Sequence, residues 1–157
     1  MSDIERKEYL PINGSEIHEL IRDVNIITYS YLSHYSKIDD LFINNAVIIL
    51  YHNYDSQIGH WVCLTKRGNT VEYFDSYGRM PDYIPQKYPY LSRLLYESPY
   101  NLIYNNIDLQ GKRVATCGRH VICRVLMKDY TLNEYYDRLK AFGKNYDQLV
   151  TMITEKI

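Results

Sequence analysis

Cysteine is scarce in this chain. The three residues are an odd number and show neither a disulfide framework nor a zinc-ligand spacing. A cysteine-stapled secreted scaffold is thereby excluded, a reducing compartment fits, and neither a metal nor a cofactor is expected. No apolar run is long enough to span a bilayer, and no secretory leader is expected at Met1-Ser2-Asp3-Ile4-Glu5. Neither sign of charge prevails: 18 basic against 19 acidic residues leave a net charge of -1, which argues against an affinity dominated by phosphate contacts. Glycine and proline are few, at seven and five, and no repeat, low-complexity segment or linker divides the chain. The 157 residues therefore read as one domain, long enough to bury a core without staples.

What is present reads as a sheet followed by helices. Residues 1–13 are a polar lead-in arm, and Ser15 is expected to cap a short helix with Ile17, Leu20 and Ile21 inward. Residues 24–32 have an ambiguous period. Residues 46–51 form a continuous apolar run of strand length, which predicts a strand buried on both faces. Asn53-Tyr54-Asp55-Ser56 is turn chemistry, residues 60–65 are a second strand, Gly68-Asn69 a tight turn and residues 70–75 a third strand. Residues 76–89 read as loop and 90–97 as a helix, with a fourth strand near 102–104. Thr131-Leu132-Asn133-Glu134 is a capping box, Gly143 a break, and Asn145 the cap of a final helix. The fold class is α+β: a central, mainly antiparallel sheet flanked by helices.

The chemistry centres on Cys117. Val121, Ile122, Val125 and Leu126 follow it at helical spacing, and Thr116 is a reasonable N-cap. Cys117 then sits in the first turn, where free N–H groups and the helix dipole favour an anion, and the thiolate is the form that attacks. Gly118 leaves room for a substrate to approach the sulfur. Taken alone, the stretch equally describes a small buried cysteine opening a core helix.

A nucleophilic cysteine needs a base. His18, His34 and His52 read as solvated, and His120 shares a helix with Cys117, which rarely yields a tuned base. His60 begins a strand after Gly59, and Asp75 ends the next strand, so the two can meet across the meander. A carboxylate there fixes the imidazole tautomer. Gln110, at a strand end shortly before Cys117, is a neutral amide donor that would form an oxyanion hole with the Cys117 N–H.

Gly59-His60-Trp61, then Phe74-Asp75-Ser76-Tyr77-Gly78, Leu109-Gln110-Gly111 and Thr116-Cys117-Gly118 resemble, in that order, the circularly rearranged papain-like cysteine proteases. This adenain-like group includes the adenovirus maturation protease and the SUMO-specific proteases. The resemblance covers about residues 46–126 and is greatest to the adenovirus branch. It implies an adenain-like fold with Cys117 as nucleophile, His60 as base, Asp75 as orienting acid and Gln110 as oxyanion donor, with Trp61 walling the imidazole. The adenovirus enzyme is activated by DNA and by a disulfide-tethered peptide. Nothing here marks such a tether, since Cys63 falls in an expected strand and Cys123 in an expected helix.

The compact size resembles the proteases of virophages and of large virus-like transposons. The resemblance thus implies a cysteine endopeptidase that matures capsid or core precursors near small, Gly-type residues. A protease removing SUMO- or ubiquitin-like modifiers is the alternative, with an acetyltransferase of the same catalytic order or an inactive binding module behind it. The expected partner is a protein substrate, with a weak nucleic-acid contact through Lys112, Arg113, Arg119 and Arg124, a stretch without acids. The chain is expected to be a monomer without membrane contact, placed in the virion and in the host cytoplasm or viral factory.

Overall fold

The apolar run 46–51 takes the place its composition predicts. In the computed structural model, which describes residues 1–52 and 59–157, it lies within β2 (Ala46–His52). The turn expected at Asn53-Tyr54-Asp55-Ser56 falls outside the described residues. β1 (Asn25–Thr28), β2, β3 (Gly59–Arg67), β4 (Thr70–Phe74) and β5 (Asn101–Tyr104) lie side by side in chain order. β2, β3 and β4 form the expected antiparallel meander, and Gly68, with φ of 58°, makes its second turn. Each edge strand joins in parallel, β1 to β2 and β5 to β4.

Strand alternation divides the core between two faces. Ala46, Ile48, Trp61, Cys63 and Phe74 face a cluster completed by α4 (Cys117–Leu126), α5 (Leu132–Ala141) and α6 (Tyr146–Lys156). Val47, Ile49, Val62, Leu64, Val71 and Tyr73 face the other way, onto α3 (Tyr90–Tyr96) and the 3-10 turns at Tyr29–His34 and Ile38–Leu41. Within the first layer Arg124 is buried with Glu72. Its Nε and Nη2 donate to the two carboxylate oxygens at 2.7 and 2.9 Å, and carbonyls of Met127 and Tyr130 take two more of its N–H groups.

The N-terminal arm is more ordered than a lead-in loop. It carries α1 (Asp3–Lys7), capped by Ser2, and α2 (Gly14–Leu20). The cap of α2 is Asn13, in a capping box with Glu16, rather than Ser15. Between the two helices the arm crosses the start of α4: the Ala115 N–H donates to the Glu8 carbonyl at 2.7 Å. The sheet end bearing His60, the turn after β4 and the start of α4 thus converge beneath the arm.

Candidate active site

His60 is the second residue of β3, and Asp75 follows the last residue of β4. The register pairs Cys63 with Phe74, so parity places Asp75 and His60 on one face of the sheet. His60 Nε2 lies 2.8 Å from Asp75 Oδ1. That bond occupies Nε2 and leaves Nδ1 for Cys117, whose sulfur is near enough to act on the ionisation of His60. Burial disfavours the imidazolium, but the hydrogen bonds to Asp75 and Cys117 and the charges behind them prevail, and His60 is pushed up to about 9.

Asp75 is itself buried. Burial raises its carboxyl, yet His60, the Tyr77 N–H and the Arg79 guanidinium more than offset this and hold it below the usual carboxylate range. Tyr77 N donates to Oδ1 at 2.8 Å, and Arg79 Nε donates to Oδ2 at 3.3 Å. The turn is closed by Gly78, whose φ is 74° and whose N–H donates to the Asp75 carbonyl at 2.8 Å. A side chain at Gly78 would meet the backbone of Ile107 at 2.8 Å, so a glycine is needed where this turn presses on the segment after β5; Gln110 lies six residues beyond that strand, in irregular chain, and not at a strand end as expected.

Cys117 opens α4 and is half-buried. The Trp61 backbone N–H donates to its Sγ at 3.5 Å, a polar contact suited to a thiolate. Thr116 occupies the N-cap position, but its hydroxyl does not cap the helix: it donates to Asp147 at 2.6 Å. The first-turn N–H groups of α4 therefore have no side-chain cap. Gln110 is buried beside this end. Its Oε1 accepts from the Ser76 hydroxyl at 2.5 Å and its Nε2 donates to the Val114 carbonyl at 3.2 Å, which sets the orientation of the amide and leaves its second N–H.

Three expectations are corrected. The ring stacked on His60 is Tyr77, with centroids 5.3 Å apart, not Trp61. Adjacent strand residues point to opposite faces, so Trp61 turns into the core, where its Nε1 donates to the Ile12 carbonyl at 3.0 Å. Gly118 does not clear a path for substrate, because Ile12 and Trp61 fill the space. A Cβ there would lie 2.1 Å from Ile12 Cγ2 and 3.1 Å from Trp61 Cδ1. Gly118→Ala is expected to destabilise the protein by about 1–3 kcal/mol through overpacking. Urea denaturation checks this, and adding Ile12→Ala should return part of the loss. Finally, Arg119 and Arg124 are buried and paired with Glu155 and Glu72. Neither can meet a phosphate; of the four basic residues only Lys112 and Arg113 are exposed.

His120 is fully buried and turned to Asp147, with Nε2 2.9 Å from Oδ1, while His18, His34 and His52 are exposed. The sequence assigns no site role to Arg79 or Asp147, nor to Ser76 and Tyr77, which it shows only as part of the motif around Asp75. Ser76, Tyr77 and Arg79 lie within four residues of Asp75, where the turn carries them into the site; nothing local marks Asp147.

A five-stranded sheet flanked by helices, with Cys117 at a helix start, His60 at a strand start and Asp75 just after the next strand, is the α+β arrangement expected from the sequence. The chain shares this fold with the ASFV pS273R protease, at TM-score 0.51 and 12% identity over 96% of this chain and 68% of that one. A SUMO protease Ulp1 structure superposes at TM-score 0.42 and 16% identity over 93% and 80%. No family model matches the chain. It is 35% identical over 174 aligned positions to the Sputnik virophage's "Uncharacterized protein V9", spanning 98% of this chain and 99% of that protein. The chain belongs to the family of that virophage protein.

Proposed function

We propose that this protein is a cysteine endopeptidase that cleaves capsid or core precursor proteins beside small, Gly-type residues during virion maturation. The observation that carries the reading is the line Cys117, His60, Asp75, with Nε2 of His60 held 2.8 Å from the carboxylate. Membership of a virophage protein family and the fold shared with a viral protease support the viral setting.

The groups divide the work as follows. The thiol proton rests on His60 as the imidazolium, and the Cys117 thiolate Sγ bonds to the scissile carbonyl carbon. The carbonyl oxygen becomes an oxyanion facing the Cys117 N–H and the Gln110 amide. The C–N bond then breaks, and the imidazolium gives its proton to the departing amine. Water, deprotonated by His60, hydrolyses the resulting thioester and regenerates the thiol. Asp75 stabilises the imidazolium throughout and is not itself protonated. The same reading places a monomeric enzyme in the virion and in the host cytoplasm or viral factory.

Incubation with the capsid and core precursors of the source virus, followed by terminal sequencing, tests the proposal. New termini beside small residues, absent with Cys117→Ala, are expected; intact precursors would refute the maturation role. Gln110→Ala should lower kcat by about 10²–10³ with little change in KM, because the oxyanion exists only near the transition state. Steady-state kinetics on a fluorogenic Gly-Gly peptide amide reads this. Alkylation of Cys117 by iodoacetamide should stay near the native rate, since it forms no oxyanion.

A further inference from the structure

We propose that Asp147 is a positioning residue that ties the Gln110 side of the site to the Cys117 side and so sets the width of the oxyanion hole; this rests on the peptidase reading above. Asp147 lies in the first turn of α6 and stands apart from the Cys117, His60 and Asp75 line. Asn145 already caps that helix by accepting from Gln148 N at 2.7 Å, so the carboxylate of Asp147 is not spent on capping. It accepts three hydrogen bonds instead. Oδ2 takes the Gly111 N–H at 2.8 Å, and Oδ1 takes the Thr116 hydroxyl at 2.6 Å and His120 Nε2 at 2.9 Å.

The placement of these donors gives the role. Gly111 is the neighbour of Gln110, Thr116 is the neighbour of Cys117, and His120 lies one turn into the nucleophile's helix. The two oxyanion donors come from opposite ends of the segment 111–116, which has no helix or strand of its own. One carboxylate holds both ends of that segment. His120 serves the same anchor: it is fully buried, and among the described residues its Nδ1 has no partner, so its only side-chain hydrogen bond there is to Asp147. Of the three partners only the Gly111 N–H is an obligate donor; the Thr116 hydroxyl and the His120 imidazole can donate or accept, and the ionised carboxylate draws a donor from each. Burial raises the Asp147 carboxyl, but the bonds from His120, Thr116 and Gly111 outweigh it and keep the group ionised below the usual range. An asparagine is nearly isosteric, but its single carbonyl oxygen serves either Gly111 or the Thr116 and His120 side, so the charged anchor is lost and the hydroxyl and imidazole must turn from donating to accepting.

Asp147→Asn is therefore the test, in four measurements. On the fluorogenic Gly-Gly peptide amide kcat should fall roughly 10²-fold, the loss typical of a small misplacement of reacting groups, with KM nearly unchanged. Cys117 alkylation by iodoacetamide should remain within about twofold of native, because the thiolate contacts from His60 and Trp61 are untouched. In a Gln110→Ala background Asp147→Asn should cost less than about threefold, because the spacing between the two donors has no effect once the Gln110 amide is gone. Hydrogen exchange across 111–116 should accelerate. Native kcat in Asp147→Asn overturns the proposal, as does an equal fold-loss with and without Gln110, which marks a general structural effect. Unchanged exchange across 111–116 overturns the anchor whether or not the protein is a peptidase. Absence of hydrolysis by the native protein, with Cys117 still alkylated and exchange accelerated in the variant, refutes the peptidase reading and leaves the anchor standing.

Discussion

Cys117→Ala is expected to abolish hydrolysis of the fluorogenic peptide while the protein unfolds at nearly the native urea concentration. The other two thiols cannot take over. Cys63 and Cys123 are fully buried, and burial raises both thiols: Cys63 far above the ordinary cysteine range, and Cys123 to about 12. Neither offers a thiolate to a substrate at neutral pH. The structural cost is small, because Cys117 is only half-buried and alanine is a good helix former. Cys63→Ala and Cys123→Ala should behave in the opposite way, losing packing but keeping the chemistry. Hydrolysis surviving in Cys117→Ala would refute the mechanism outright.

His60→Ala is expected to cost about 10²–10⁴ in kcat, the contribution of a positioned proton carrier. Asp75→Asn should be milder, since an amide can still hold the ring while losing the charge. The pH profile separates the two roles of His60. Its ionisation is raised to about 9, so the imidazolium that would protonate the leaving amine in the proposed mechanism persists through neutral pH and is lost as pH rises past that value. Peptide hydrolysis should therefore fall on the alkaline side near pH 9, whereas alkylation, which needs no acid, should not fall there. Asp75→Asn removes the opposing charge and should move the alkaline limb down. An alkaline limb that stays in place in Asp75→Asn would contradict the contact between the two residues.

What the sequence disclosed about this site follows from range. The strand 46–51, the turn at Gly68 and the capping box at Thr131 are coded within a few residues, and each forms as its local chemistry directs. His60 and Asp75 were legible as a pair because a tight meander makes their approach nearly local. α1 was not: a five-residue helix has little stability alone, and its contacts to α6, the Lys7–Glu155 pair among them, come from residues more than a hundred positions away. The parallel pairing of β1 and β5 likewise depends on connections that no short window contains. The resemblance sets Trp61 against His60, but strand alternation sends these sequence neighbours to opposite faces. Asp147 sits 30 positions beyond Cys117 in an ordinary helical turn, and only the folded chain brings it to Gly111 and Thr116.

The assignment of Cys117 and His60 as a working pair is tested most directly by treating the protein with a Gly-Gly vinyl sulfone and mapping the adduct by mass spectrometry. One adduct, on Cys117, is expected, forming at least 10²-fold faster in the native protein than in His60→Ala, in keeping with the contribution of a positioned base. Labelling spread over Cys63 and Cys123, or labelling of Cys117 at a rate indifferent to His60, would contradict it.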